Sequence, residues 1–317
     1  MTNKTHDSPI ADITEIGQLI TGMRAAYMRG ENAMQYARKY SSTSINTLTA
    51  TLISYDLQAG TYIDAVKISP DANMKSCKQI AEILNPYMPE CKSLLEVGSG
   101  EATTLAGVLK NLDKKPDHAL GFDISWSRCY HGAKWLAEND ISAKLFVADL
   151  FEIPLEDSSV DVVYTSHSLE PNGGREYEAI KELLRVSRLA VVLIEPIFEL
   201  ANVEAQFRMK NHGYVQGLKE AAEKLGAKLK AYQLLDYCSN PLNPSGLLIL
   251  EKPRVAMYSS VNVLYRCPLS HSPLIKNDMG FFSPSTGLAY PLLNGIPLLR
   301  SCNVVIASSF DTSIASV

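Results

Sequence analysis

The chain has 317 residues, 46% of them hydrophobic, and a formal net charge of −4. That length suits one main domain with appendages, and the apolar share is enough to bury a sizeable core. The mild negative charge argues against an electrostatic nucleic-acid binder, which would carry a basic domain. Met1 to Pro9 is polar with no apolar run behind it, so no secretory signal is expected. The longest apolar runs, Leu189 to Ile194 and Leu247 to Leu250, are strand-sized and too short to span a membrane. Cys77, Cys91, Cys129, Cys238, Cys267 and Cys302 are scattered without a Cys-x-x-Cys pair. That usage fits a reducing cytoplasm better than a disulfide framework or a dedicated zinc site, so no metal is expected.

Apolar residues at spacings of three and four predict helices over 13–30, 30–40 and 46–68, and this opening block carries no β signature. A further helix is expected over 71–88, with Ile80, Ile83 and Leu84 as its apolar stripe and Pro86 and Pro89 ending it. The rhythm then changes. Short strands are predicted at 93–97, 118–123, 144–148, 160–164, 189–195, 228–235 and 246–251. Helices are predicted between them at 103–112, 125–139, 175–186, 203–213 and 214–225. Strands alternating with helices imply a mostly parallel sheet covered on both faces, with ligands at the carboxyl ends of its strands. Lys252-Pro253-Arg254 breaks the pattern. Residues 261–300 are rich in Pro, Ser and Gly with short β-like runs, and 308–317 reads as a polar tail.

The sharpest local signal is Leu94-Leu95-Glu96-Val97-Gly98-Ser99-Gly100-Glu101-Ala102, a strand running into a glycine turn that opens a helix. Glycine at 98 and 100 lets the backbone turn tightly and approach a ligand. The helix start beyond it presents free N–H groups. A dinucleotide fingerprint would need a third glycine where Thr103 stands. Glu96, two residues before the first glycine, would also repel a pyrophosphate. Beside a cationic aminopropyl group it would be favourable.

This stretch resembles the class I S-adenosylmethionine methyltransferases, whose first motif is an acid followed by x-Gly-x-Gly-x-Gly. Glu96, Gly98 and Gly100 match it, and Ala102 departs at the third glycine. The resemblance covers roughly residues 90–251. It implies an α/β, Rossmann-like fold with a seven-stranded, mostly parallel sheet, helices on both faces, an N-terminal helical cap and a small C-terminal β module. It also implies S-adenosyl-L-methionine as cofactor. Asp123, ending the second strand beside Ile124, would accept from the ribose hydroxyls, with Ser125 free to serve as the helix cap instead. Asp149, after the third strand, would accept from the adenine amino group, with the N–H of Leu150 completing that edge. Ser166, in the turn after the fourth strand, joins the expected donor residues.

That turn runs Thr165-Ser166-His167-Ser168-Leu169-Glu170-Pro171-Asn172-Gly173-Gly174 and, by the same resemblance, faces the methyl acceptor. His167 is a candidate general base because an imidazole titrates near working pH, and Glu170 is the second catalytic candidate. Either can instead be a polar residue packed against the donor. Glu195, after the fifth strand, suits orienting an amine or hydroxyl, or a helix cap. His212-Gly213-Tyr214 suits a pocket wall, or a helix end with Gly213 left-handed. Tyr55, Tyr62 and Asp64 are the cap residues to examine for acceptor contacts.

The end of the chain is similar to the zinc-ribbon-like module that activates certain RNA and protein methyltransferases. Ala289 to Pro297 keeps the second half of its pattern. The first cysteine pair is reduced to Cys267-Pro268-Leu269-Ser270, and the second is absent around Phe282 and Ser285. Cys267 and His271 are too few for a closed metal site. The module is therefore expected to fold without metal. Leu264, Leu274, Phe281, Phe282, Tyr290, Leu292, Ile296, Leu298 and Leu299 would bury against the main domain or against a second copy in a homodimer.

The sequence thus divides into a helical cap or lid at 1–70, a donor-binding domain at 71–253 and a small β module with tail at 254–317. The expected function is methyl transfer to an N or O atom of a small-molecule or sugar-like acceptor in the cytoplasm, without a membrane partner. An RNA methyltransferase and a non-catalytic donor-binding scaffold are the alternatives.

Overall fold

The computed structural model describes residues 13–42, 47–238, 240–252, 264–278 and 280–309. It divides into two compact units, 1–59 and 60–317. The first holds α1 (Ile13–Met28), α2 (Ala33–Tyr40) and α3 (Leu48–Leu57). Asn32 and Thr47 start α2 and α3 by accepting from Gln35 N and Ala50 N, meeting backbone donors that a helix start leaves open. Leu19, Met23, Ala33, Ala37, Ala50 and Ile53 form the small core of this unit. The single helix expected over 46–68 is broken. Gly60 adopts φ 102° and begins a separate helix, α4 (Thr61–Ile68). That conformation is open to glycine and costly for other residues, so the apolar spacing runs on while the backbone does not.

In the second unit, α5 (Pro70–Leu84) leads into β1 (Ser93–Val97), α6 (Thr103–Asn111), β2 (His118–Asp123), α7 (Trp126–Glu138) and β3 (Lys144–Val147). Then come β4 (Val160–Ser166), α8 (Glu176–Val186), β5 (Ser187–Pro196), α9 (Val203–His212), α10 (Leu218–Lys224), β6 (Lys228–Leu234) and β7 (Ser245–Glu251). The helix expected from Tyr214 starts only at Leu218. Gly217 is left-handed, and the N–H groups of Gln216 and Gly217 are bonded to Glu176 and Glu199 instead.

The seven strands lie in the order β3-β2-β1-β4-β5-β7-β6. β3, β2, β1, β4 and β5 pair in parallel, while β7 runs antiparallel to both β5 and β6. The chain winds outward from β1 through β2 to β3, then returns to β4 on the other side of β1. Strand order reverses at that point, so a crevice opens past the carboxyl ends of β1 and β4. β1 is buried throughout, and β4 is buried up to Thr165. Two apolar clusters, one of them holding Leu95, Val163 and Leu193 and the other Leu94, Tyr164 and Val192, fix these strand ends.

The C-terminal residues form a second sheet from β8 (Ile275–Asn277), β9 (Gly280–Ser283), β10 (Leu288–Leu293), β11 (Ile296–Pro297) and β12 (Val305–Ile306). Cys267, Phe281, Tyr290 and Leu299 share one core with Leu95 and Val163 of the main sheet. Leu299 N–H donates to Val147 O at 2.8 Å, so the second sheet is tied to the β3 edge. Tyr265 sits edge-on to Phe146 at 5.8 Å. Leu264, expected to be buried, is 55% exposed, because its backbone carbonyl rather than its side chain meets the main domain, accepting from Glu156 N–H. Cys267 Sγ lies 3.2 Å from the Tyr290 hydroxyl, and Ser270, Ser272, Ser283 and Ser285 form a chain of hydroxyl hydrogen bonds beside it.

Candidate active site

The donor side begins at the turn after β1. Gly98 and Gly100 have φ 68° and 52°, so both use the left-handed backbone for which glycine is suited. A Cβ on Gly98 would stand 2.3 Å from Ser168 Cβ, which brings the turn after β4 directly against the glycine turn. Ala102 takes the same left-handed conformation, φ 55°, at the start of α6.

Glu96 is buried, and burial is the main cause that lifts its carboxyl to about 8; the Tyr164 hydroxyl and the Leu105 N–H oppose the rise. Its Oε2 has no hydrogen-bond partner among the described residues. Asp123 sits at the end of β2. Its Oδ2 accepts from Gly100 N–H at 3.1 Å and its Oδ1 from Ser125 N–H at 2.9 Å. Burial raises its pKa while these amides pull it back. Ser125, not Asp123, caps α7 by accepting from Arg128 N–H. Each Asp123 oxygen keeps a second lone pair on a partly exposed side chain. Asp149 accepts from Phe151 N–H at 2.9 Å, a local turn that holds its carboxylate and the adjoining Leu150 at the end of β3.

Two buried charged groups beside the turn, Glu101 in it and Arg128 on α7, were not read from the sequence. Glu101 is fully buried, and its carboxylate accepts from Gly60 N–H at 2.9 Å and Ile63 N–H at 2.8 Å, the open donors at the start of α4. The buried Arg128 guanidinium lies 3.6 Å from Glu101 and stacks under the Tyr62 ring at 4.2 Å. Tyr62 consequently stands beside Gly100, within 3.5 Å of where a Cβ would be. Asp64 is exposed on the same helix, and Tyr55 lies on α3 in the other unit.

On the acceptor side, His167 follows β4 with φ 54°, an uncommon conformation for a residue with a side chain. Its Nδ1 is 2.8 Å from Glu170 Oε2 and its Nε2 is 2.7 Å from Ser245 Oγ. Burial works against the imidazolium, but the hydrogen bond and charge of Glu170, with Glu195 behind it, hold His167 above its ordinary value. The same ion pair, joined by Asn243 and Tyr214, holds Glu170 below the usual carboxylate range against the effect of burial. Ser166, the last residue of β4, pairs with Ile194 at this edge.

Glu195 has a different job from the one its position suggests. Both of its oxygens are taken by the loop, Oε1 by Ser168 N–H at 3.0 Å and Oε2 by Glu170 N–H at 3.2 Å. Burial raises its pKa to about 7. It therefore clamps the His167–Glu170 turn from below. Gly213 is left-handed and caps α9, as the helix-end alternative requires, while the Tyr214 hydroxyl interacts with Glu170. Asn243 and Ser245 complete the cluster and carry no sequence signal of it, because they stand before or at the start of a strand and not after one. β7 is antiparallel, so its first residue, Ser245, lies opposite Pro196 at the carboxyl edge of β5.

Residues 94–188 match a family model described as a methyltransferase domain. No curated protein matches the chain. Among solved structures, magnesium protoporphyrin IX methyltransferase from Synechocystis PCC 6803, with bound S-adenosylhomocysteine, is similar at 12% identity. That match covers 64% of this chain and 100% of that one, with a TM-score of 0.48. Geranyl diphosphate C-methyltransferase from Streptomyces coelicolor is similar at 10% identity over 55% of this chain and 79% of that one, with a TM-score of 0.43. The cyclase SpnF is similar at 15% identity over 56% of this chain and 80% of that one, with a TM-score of 0.44.

The matched segment contains the glycine turn, Asp123, Asp149 and the β4 turn. The protein carries a methyltransferase domain, and its methyl donor is S-adenosylmethionine. The donor side fits that group: a buried carboxylate oxygen without a partner suits a cationic amine, and the left-handed glycine turn leaves the backbone bare. No helix among the described residues is long and apolar enough to cross a membrane.

Proposed function

We propose that the protein transfers the donor's methyl group to an N or O atom of a small-molecule or sugar-like acceptor, and that it works in the cytoplasm. Glu96, Gly98, Gly100, Asp123, Ile124, Asp149, Leu150 and Ser166 hold the donor in this reading. When bound, S-adenosylmethionine supplies an electrophilic methyl group. The chain's own residues then have three tasks: to position the acceptor, to exclude water and to take a proton. The observation that carries the proposal is the placement of His167 and Glu170. Their turn packs against Gly98 through Ser168, so a base backed by a carboxylate stands beside the donor turn. Six free cysteines support the reducing compartment. In the same reading the chain comprises a helical cap at 1–70, a donor-binding domain at 71–253 and a small β module with tail at 254–317.

Because Glu170 holds the His167 pKa up, the base is charged and idle at low pH. Rate should rise with pH and level off above that raised value, later than an unperturbed imidazole would. The test uses donor carrying a tritiated methyl group, incubated with cell extract and then fractionated by size. Label in soluble small molecules, lost in His167→Ala, is expected. Label in RNA would move the protein to RNA methylation. Donor binding with no label anywhere would make it a scaffold.

A further inference from the structure

Building on His167 as the base, the tautomer of its ring can be deduced from its neighbours. Glu170 Oε2 faces His167 Nδ1 at 2.8 Å and the Asn243 Nδ2 amide at 3.0 Å, with the Tyr214 hydroxyl on the same carboxylate. A carboxylate ringed by donors is ionised and offers only lone pairs. The Nδ1 atom therefore carries the ring proton, and Nε2 of the neutral ring is a bare acceptor. Ser245 Oγ, 2.7 Å from Nε2, must then be the donor. The other acceptor within its reach, Cys238 Sγ, is 4.0 Å away against 2.7 Å for Nε2, and the Cys238 thiol itself donates to the Asn240 and Asn243 carbonyls. With its hydrogen committed to His167, Ser245 keeps two lone pairs.

We propose that Glu170, His167 and Ser245 form a proton relay whose outer end is the Ser245 hydroxyl, so that the acceptor gives its proton to Ser245 Oγ and not directly to the imidazole. The acceptor's O–H bond breaks as a new O–H bond forms on Ser245. The original Ser245 proton moves to His167 Nε2. The electron pair left on the acceptor oxygen bonds the methyl carbon, and sulfur keeps the pair of the bond that breaks. Glu170 stabilises the imidazolium, whose proton then leaves through the exposed third of the His167 side chain. A relay of this kind is needed by a hydroxyl acceptor, such as a phenol, enol or sugar hydroxyl. A neutral amine attacks with its own lone pair. The relay therefore narrows the acceptor to a hydroxyl compound.

Two measurements test the relay. In full-length protein labelled with 15N-histidine, without donor or acceptor, the neutral His167 ring should be protonated on Nδ1. Ser245→Ala should shift the Nε2 resonance and leave that tautomer in place. A neutral ring protonated on Nε2, or an Nε2 signal indifferent to Ser245→Ala, overturns the relay. In the tritium assay, Ser245→Ala should lose at least about tenfold in rate at unchanged S-adenosylhomocysteine affinity, within the span of positioned proton transfer. A variant as fast as the parent or faster would show that His167 takes the proton itself. The tautomer is read without substrates, so its failure would leave methyl transfer standing. Failure of donor binding would leave the tautomer result intact.

Discussion

On the β1–β2–β3 side of the crevice, Asp123 at the end of its strand and Asp149 just after its own are fixed by backbone N–H groups a few residues away or on the adjoining turn. Asp149 is held by Phe151 N–H, and Asp123 by the N–H groups of Ser125 and Gly100. On the β4–β5–β7 side, the working group is a knot of side chains drawn from 167–170, Glu195 and 243–245. The donor half is built from local turns, so damage to one turn should stay local. The acceptor half is a network of charge-assisted bonds, in which removing one member leaves others buried without partners.

The largest contrast is expected from His167→Ala. Methyl transfer should fall about 10²- to 10⁴-fold, the usual range for a positioned base. Donor affinity should stay near that of the parent. Equal losses in both would mean that His167 packs against the donor and does no proton transfer.

Gly98→Ala probes the seam between the halves. The added methyl would meet Ser168 Cβ at 2.3 Å from a left-handed backbone. Overpacking and left-handed strain together predict a loss of about 2–4 kcal/mol in chemical denaturation. A loss below about 0.5 kcal/mol, the scatter expected for a surface site, would show that the two turns do not meet.

The smallest effect is in the pH dependence of stability. The carboxyls of Glu96 and Glu195, lifted to about 8 and about 7, bind protons more tightly folded than unfolded. Their contribution is complete below the ordinary carboxylate pKa and is lost as pH rises through about 7 to 8. The donor-free protein should melt at progressively lower temperature across that window. Glu96→Gln should flatten the slope, and a parent slope that matches the variant's would place the Glu96 carboxyl in water.

The two halves also differ in how legible they were. Glu96, Gly98, Gly100, Asp123 and Asp149 lie at or just past the carboxyl ends of parallel strands in chain order, so strand ends could be counted from apolar runs, and the structure places all five at that edge. Glu101 escaped because its partner is the start of α4, itself hidden inside a continuous apolar spacing that Gly60 interrupts. Asn243 and Ser245 escaped for a topological reason. A strand that reverses direction brings its beginning, not its end, to the ligand edge, and alternation of apolar residues carries no sign of direction. Tyr290 and Phe281 were readable as core residues, whereas Leu264 was not, since only its backbone takes part in docking.

Donor binding by the β1–β2–β3 edge, separable from the acceptor network, is the claim on which the rest depends. Calorimetric titration of S-adenosylhomocysteine into the parent, Asp123→Ala and His167→Ala tests it most directly. The parent and His167→Ala should bind alike, and Asp123→Ala should bind about 10- to 150-fold more weakly. That factor corresponds to the roughly 1.5–3 kcal/mol of hydrogen bonds to a charged group. A parent that does not bind, or an Asp123→Ala variant that binds as well as the parent, would contradict the account.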